Sequence, residues 1–217
     1  MKPVPFHRLA RTALAATLLG AALAGCAPLL LGGAVVGGGL VATDRRTTGI
    51  QLEDEGIERR AGSAVRDLAT LGHVNITSYN RMVLITGEVP GEREKAAVEA
   101  AVAKVENVKS VINELGIGPN SSTGSRTTDA FIASKVKATM VDAKDVQANA
   151  YKVVVERAVV FLMGRVTERE AARGTEIARS VKDVQKVVRV FEILTEQELA
   201  ALGRATAPPA PAASAPQ

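Results

Sequence analysis

The chain of 217 residues says one thing twice, and that repeat limits what it can fold into more than any other feature. Residues 83–94 read VLITGEVPGERE, and residues 160–170 read VFLMGRVTERE. Gly87 falls on Gly164 and Val89 on Val166. The Glu-Arg-Glu run at 92–94 falls on that at 168–170 once Pro90-Gly91 is set against Thr167 alone. Further on, Val105, Val108 and Val111 fall on Val181, Val184 and Val187. The offset of about 76 residues is too long for a solenoid repeat, so each copy reads as a small domain of the same fold.

Both copies share one grammar. In the first, Ile57, Ala61, Ala64 or Val65, and Leu68 recur at helical spacing over 57–71, with Gly72 as the stop. VNITSYNRMVLITGEV alternates apolar and polar residues and reverses at Tyr79-Asn80-Arg81, a hairpin with Asn in its turn. Residues 92–105 form a second amphipathic helix whose acidic start suits the helix dipole, and VKSVINELGI is a third strand. In the second copy the spacing predicts a helix over 130–141, opened by Thr128 or Asp129 as N-cap. A hairpin follows in KVVVERAVVFLMGRV, although its turn lacks the expected Gly or Asn. A helix over 168–180 and a last strand in VQKVVRVFEIL complete the unit.

The order is α-β-β-α-β in each copy. This is an α+β fold, with two small mixed three-stranded sheets, each packed on two helices; the crossover into the third strand runs parallel. The domains span 50–117 and 129–194, with a polar linker at 118–128 and a Pro/Ala-rich tail at 195–217 that should be disordered. Units of this size are marginal alone. Aromatics make up 3% of the chain, so the cores must be built of Val, Ile, Leu and Ala. Gly87 and Gly164, late in core strands, mark structural positions where a backbone approaches closely or bulges.

The amino terminus has a different chemistry. Lys2, Arg8 and Arg11 precede an uncharged apolar run from Thr12 to Ala24, the pattern of a secretory signal over 1–25. LAGC at 23–26 resembles the bacterial lipobox, and Cys26 is the only cysteine in the chain. By that resemblance Cys26 becomes the acylated first residue, and no thiol remains for a disulfide. Acyl chains anchor stably when there are two or more. No Asp follows Cys26, which favours the outer membrane over the inner. Residues 28–43 are apolar but carry five glycines and are shorter than the roughly 20 residues of a spanning helix. They read as a flexible tether within 26–49, with an uncleaved span joined to residues 12–24 as the alternative.

The segments TGEV, ERE and VENVKSVIN in copy one, and MGRVTERE and VKDVQKVVR in copy two, resemble the BON domain. Two such domains behind a lipobox, with TDRR at 43–46 before the first, resemble the dual-BON-domain outer-membrane lipoproteins of Gram-negative bacteria. The resemblance implies attachment at the periplasmic face and a part in keeping the outer-membrane barrier intact. It implies that the second domain binds anionic phospholipids, phosphatidylglycerol and cardiolipin, largely through its first helix. It also implies association with the β-barrel assembly machinery. The VERAVV hairpin departs from the family's Gly-containing turn, so a longer or differently bent hairpin is expected there.

The residues themselves support a lipid contact. At about 100° per residue, Ile132, Val136, Thr139 and Met140 fall on one side of the helix over 129–142. Phe131, Ser134, Lys135 and Ala138 fall on the other, flanked by Lys137 and Val141, with Asp142 subtracting charge. A ring beside a cation on an outward face is the pattern of an interfacial helix. The competing expectation is that Phe131 packs against the first domain or under the linker. Charge separates the copies further. Residues 50–117 hold eight basic and eleven acidic residues, net −3, and residues 129–194 hold twelve and nine, net +3. An anionic surface attracts the second and repels the first.

Other classes fit poorly. The chain's formal +4 falls to about +1 without the three leader cations, and no aromatics interleave with basic residues, which argues against nucleic acid. After the leader, His73 is the single histidine, and it sits at a helix-strand corner as a turn residue. No metal-ligand spacing, phosphate loop or dinucleotide fingerprint is present, so neither an enzyme nor a cofactor is expected. The rival is a protein-binding adaptor of an envelope complex whose lipid contact is incidental.

Overall fold

The computed structural model describes residues 44–68 and 72–205. The leader at 1–25, Cys26, the tether up to residue 43 and the tail from 206 onward lie outside the described residues. All of the described residues fall within one unit, 40–217.

In domain 1, helix α1 (Thr48–Val65) leads into strands β1 (His73–Tyr79) and β2 (Met82–Val89). Helix α2 (Glu92–Ala103) and the short strands β3 (Ser110–Asn113) and β4 (Gly116–Ile117) follow. Domain 2 repeats the order with α3 (Thr123–Asp142), β5 (Tyr151–Glu156), β6 (Val159–Thr167), α4 (Glu168–Ser180) and β7 (Lys186–Leu194). The hairpin strands pair antiparallel in both copies. The strand after the second helix runs parallel to the middle one, so both sheets are mixed. In domain 1 that last strand is broken, because Leu115 turns into the core and Asn113 Oδ1 accepts from its N–H at 3.2 Å.

Both hairpins close through two-residue turns with positive φ at both positions, Asn80 (50°) and Arg81 (68°), then Arg157 (53°) and Ala158 (58°). This is the type I′ geometry that matches strand twist. The expectation of a longer or differently bent second hairpin is therefore corrected. A buried aspartate makes the strained turn tolerable. Asp129 of α3 accepts from the Arg157 and Ala158 N–H groups at 2.8 Å each. Asp54 of α1 accepts from Asn80 and Arg81 at 2.8 Å each, and from Ser78 Oγ at 2.7 Å. Each charge-assisted bond contributes about 1.5–3 kcal/mol. That offsets the roughly 1–3 kcal/mol that a left-handed non-glycine residue costs.

Several element limits differ from expectation. Helix α1 begins at Thr48, because Thr47 Oγ1 caps the Ile50 N–H, and it ends at Val65. Helix α3 begins at Thr123, with Ser122 as its cap. The linker 118–128 thus shrinks to a few residues, and Asp129 is a buried clamp rather than a cap. The tail expected to be disordered from 195 opens with helix α5 (Glu196–Ala205), started by a reciprocal bond pair between Thr195 and Glu198.

One core lies between α1, α2 and the first sheet, around Ile57, Ala61, Val83, Ile85 and Val98. Its twin lies between α3, α4 and the second sheet, around Ile132, Val136, Met140, Leu162 and Val166. A third cluster joins them, with Tyr79 and Leu84 from domain 1 against Phe161, Met163 and Val190 from domain 2. Alternate residues of a strand face opposite sides, so the face of each sheet that its helices leave bare is covered by the other sheet. Nearly every residue of β2 and β6 is therefore buried. This explains why these strands read as apolar runs without alternation.

The segment before α1, assigned on sequence to the tether, is a strap across this seam. The Arg45 guanidinium meets both Glu170 oxygens at 2.7 Å. Arg45 also exchanges bonds with the Arg165 main chain and side chain. Arg46 bonds Asp54 at 2.8 Å and lies 4.1 Å above the Tyr79 ring. One arginine thus grips domain 2 and the next grips domain 1.

Candidate functional site

Helix α3 turns Ile132, Val136 and Met140 inward, spaced four residues apart, with Asp129 at the head of the same stripe. The shared repeat of apolar residues forces the other face outward. Phe131 is 61% exposed and Val141 64%, at opposite ends of that face. Ser134 and Ala138 lie exposed between them. Phe131 is therefore not covered by domain 1 or by the linker, which disposes of the competing expectation for this ring.

The two lysines behave differently. Lys135 Nζ lies 4.4 Å from the centroid of the Phe131 ring and 3.3 Å from Asp183 Oδ2. It caps the ring while staying half-exposed, and Asp183 offsets part of its charge. Lys137 folds back and donates to the carbonyls of Ala148 at 2.6 Å and Tyr151 at 3.2 Å. Burial pushes its ammonium below the usual lysine range. The structure brings Phe131, Ser134, Lys135 and Ala138 onto one outward face and sets Lys137 in the wall of an adjoining groove.

Gly87 and Gly164 stand apart from this face. Gly87 has φ +113°, and a Cβ there would lie 1.9 Å from the His73 carbonyl oxygen. At Gly164 it would lie 2.4 Å from the Ala150 carbonyl oxygen. Both glycines let the chain entering the first strand cross the middle strand at close range.

Sequence reasoning missed three groups. The first is the pair of buried aspartates, although Asp54 and Asp129 occupy the same place in the two copies. The second is the Arg45–Glu170 pair, whose side chains are only 7% and 9% exposed. Burial alone raises the Glu170 carboxyl, but the Arg45 fork and the Thr167 bonds more than reverse this, and it sits below its ordinary value. The third is a set of cross-domain contacts in which basic residues of domain 2 meet acids of domain 1. Lys152 reaches Glu58 at 2.9 Å, and Arg157 approaches Glu88 at 3.7 Å. Asn75 and Glu156 add a bond at 3.0 Å, and Asn80 donates to Glu192. Part of the charge difference between the copies is thus spent on holding them together.

The two-domain layout agrees with a family match. A family model for the BON domain matches residues 53–119 and 128–195. The outer membrane lipoprotein DolP of Haemophilus influenzae is 39% identical over 168 residues, covering 74% of this chain and 87% of that protein. A 21 kDa hemolysin of Actinobacillus pleuropneumoniae is 30% identical over 151 residues, covering 68% and 78%. Among solved structures, the type III secretion protein CdsD of Chlamydia trachomatis aligns over 66% of this chain and 95% of its own, at 11% identity and a TM-score of 0.28.

Proposed function

We propose an envelope role for this chain, which belongs to the BON-domain family. It is an outer-membrane lipoprotein of the periplasmic face, held by acyl chains on Cys26. It contacts anionic phospholipids, phosphatidylglycerol and cardiolipin among them, through the outward face of α3, and so helps keep the outer membrane intact. Its likeness to an outer membrane lipoprotein over most of both chains supports the location. Association with the β-barrel assembly machinery fits the same setting.

One observation carries the lipid reading: Phe131 stands 61% exposed with an ammonium 4.4 Å from its ring centroid. Inserting such a ring into the acyl boundary contributes about 1.5–3 kcal/mol, and a basic residue near an anionic surface about 1 kcal/mol. That sum alone gives weak binding. It becomes effective because a lipid tether makes the contact intramolecular and holds the helix at high local concentration. The matching helix of domain 1 has Gly56 where domain 2 has Phe131, and that domain is net negative. Only one copy is therefore suited to the contact.

Co-sedimentation of the non-acylated chain with vesicles tests this at lipid concentrations on the order of millimolar, where a contact of this strength is populated without the tether. The expected result is a preference for phosphatidylglycerol over phosphatidylcholine vesicles that weakens with salt and is lost in a Phe131→Ala, Lys135→Ala pair whose unfolding midpoint is unchanged. Equal recovery with both vesicle types would favour the adaptor instead, and normal binding by the double variant would refute the assignment to α3.

A further inference from the structure

The edge of a sheet is a template on which another chain can pair, and this molecule closes its edges unequally. On β1 the Ser78 N–H donates to Glu58 at 2.8 Å, and Lys152 reaches the Ser78 carbonyl at 3.2 Å. On β5 Lys137 takes the Tyr151 carbonyl at 3.2 Å. In domain 1 the strand after the crossover is cut into β3 and β4, of four and two residues. Strand β7 differs from all of these. It runs nine residues and pairs with β6 along its whole length. Among the described residues no main-chain ladder and no side chain meets its other edge.

The register identifies the groups left open. At the entry to the strand Gln185 donates to the Ala158 carbonyl at 2.9 Å. Main-chain groups of successive residues alternate between the two edges of a strand. Those of Lys186, Val188, Val190 and Glu192 therefore point away from β6.

Side chains beside this edge are uncommitted as well. Arg189, Phe191 and Ile193 stand on the helix-facing side and, with Glu168, line a groove of about 240 Å³. Ile193 is 50% exposed, and Phe191 is only half-buried. Arg189 approaches Glu168 no closer than 3.8 Å, with both side chains more than half exposed, so that pair is weak. Lys186 is exposed and makes no ion pair among the described residues. Glu192, by contrast, is held by Arg165 at 3.0 Å and by Asn80. The open charge along this edge is positive.

We infer that β7 is a strand-addition site, which takes an extended acidic segment of another polypeptide as a fourth strand of the second sheet. Main-chain bonds to the outward groups hold the segment. Alternate apolar side chains cover Phe191 and Ile193 in the groove, and a carboxylate two residues further along meets Arg189. The chain's own tail does not fit, because residues 206–217 carry no charge and contain four prolines, which lack the N–H a ladder needs. A second copy fits poorly, because pairing β7 with β7 gathers Lys186 and Arg189 of both copies in one seam. The inference does not depend on the lipid contact of α3.

Fluorescence anisotropy of the non-acylated chain with a synthetic peptide tests it. The peptide matches β7 in length, with threonine at alternate positions and valine, valine, glutamate and valine between them. Saturable binding is expected at peptide concentrations up to about millimolar, with hydrogen-exchange protection rising at Val188, Val190 and Glu192 but not in β1 or β5. Lysine in place of the glutamate should weaken binding on the order of tenfold, and N-methylation of alternate peptide nitrogens should abolish it. Val188→Pro removes an outward N–H, spares the β6 ladder and should abolish binding with an unchanged circular dichroism spectrum. Arg189→Glu, at an exposed side chain, should reverse the preference between the two peptides and keeps the test decisive if the proline disturbs the sheet. No saturable binding, equal binding of the N-methylated peptide, or a preference that Arg189→Glu leaves intact overturns the inference. Concentration-dependent dimerisation in sedimentation runs, abolished by Arg189→Glu or Val188→Pro, overturns it in favour of a second copy. The Phe131→Ala, Lys135→Ala pair should bind the peptide as the wild type does. Loss of peptide binding in that pair would place the peptide on α3 and overturn the edge, whereas failure of the vesicle assay alone leaves the edge standing.

Discussion

The first helices of the two domains differ on one side only. Inward, Asp54, Ile57, Ala61 and Val65 of α1 match Asp129, Ile132, Val136 and Met140 of α3, all buried. Outward, Gly56 stands where α3 has Phe131, and Arg60 stands where α3 has Lys135. The cation lies over its neighbour in both copies. A Cβ at Gly56 would come 2.9 Å from Arg60 Nη1, and Lys135 Nζ lies 4.4 Å from the Phe131 ring centroid. The inward residues answer to the same constraints in both domains, a sheet to pack on and a hairpin turn to clamp. On the outer side the copies diverge: Gly56 is buried beneath Arg60, which reaches Glu53 and the Glu106 carbonyl, whereas Phe131 stands exposed beside Lys135. The comparison teaches that function here is written on the solvent side of a duplicated scaffold.

The two glycines should break the equivalence of the copies most strongly. Gly87→Ala faces both a positive φ and a carbonyl at 1.9 Å, whereas Gly164→Ala faces a carbonyl at 2.4 Å without the left-handed backbone. Urea unfolding should show a loss of roughly 4 kcal/mol for the first and roughly 2 kcal/mol for the second. Equal losses would mean that the backbone conformation contributes nothing.

Next in size is the helix start. Glu170 is gripped by Arg45, whereas Glu94, at the matching place in α2, makes no ion pair among the described residues. Removing one partner of a buried pair costs about 3 kcal/mol, so Glu170→Gln should destabilise at neutral pH and Glu94→Gln should not. The Glu170 carboxyl lies below its ordinary 4.5 in the folded chain. Its contribution is therefore complete above 4.5 and is lost as the pH falls through the lower, folded value. Thermal melts across that range should show a flatter acid limb for Glu170→Gln than for the wild type.

A smaller effect sharpens the comparison of the turns. Ala158 holds φ 58° and Arg81 φ 68°, so glycine at either position relieves strain. Ala158→Gly should stabilise by about 1 kcal/mol, and Arg81→Gly by less. The gain at Arg81 should be partly cancelled, because its guanidinium donates to the Asn107 carbonyl at 2.7 Å. The smallest effect expected is at the other helix start. Gly91 caps α2 without a side-chain bond, whereas Thr167 forms a full capping box on α4. Gly91→Ser should add a few tenths of a kcal/mol, visible as a small rise in melting temperature.

Much of the fold was legible because the signals are local. The hairpin reversal after Tyr79, the start of α4 at Glu168 and the inward stripe of Ile132, Val136 and Met140 follow from turn chemistry and helical period within a few residues. Less of the site was legible. Phe131 and Lys135 could be placed on an outward face from their spacing. That Lys135 shares its charge with Asp183, and that Lys137 turns back to the Ala148 and Tyr151 carbonyls, depends on contacts far from the helix in sequence. The starts of α1 and α3 were missed because capping by Thr47 and Ser122 is common to many polar residues and is decided by the geometry around them. The Thr195–Glu198 start of α5 was a readable signal, overlooked beside the proline-rich tail that follows.

The sequence by itself determined a duplicated unit, its order of elements and which residues of each helix face inward, because period and turn preference act between near neighbours. Only the tertiary structure decided that the bare faces of the two sheets bury each other, that Asp54 and Asp129 clamp the turns, and that Arg45 and Arg46 strap the halves together beside a shared groove. These arrangements join residues as many as 125 positions apart. Their stability comes from buried charges that are paired or hydrogen-bonded and from shared apolar surface, which exist only once segments distant in sequence have packed together.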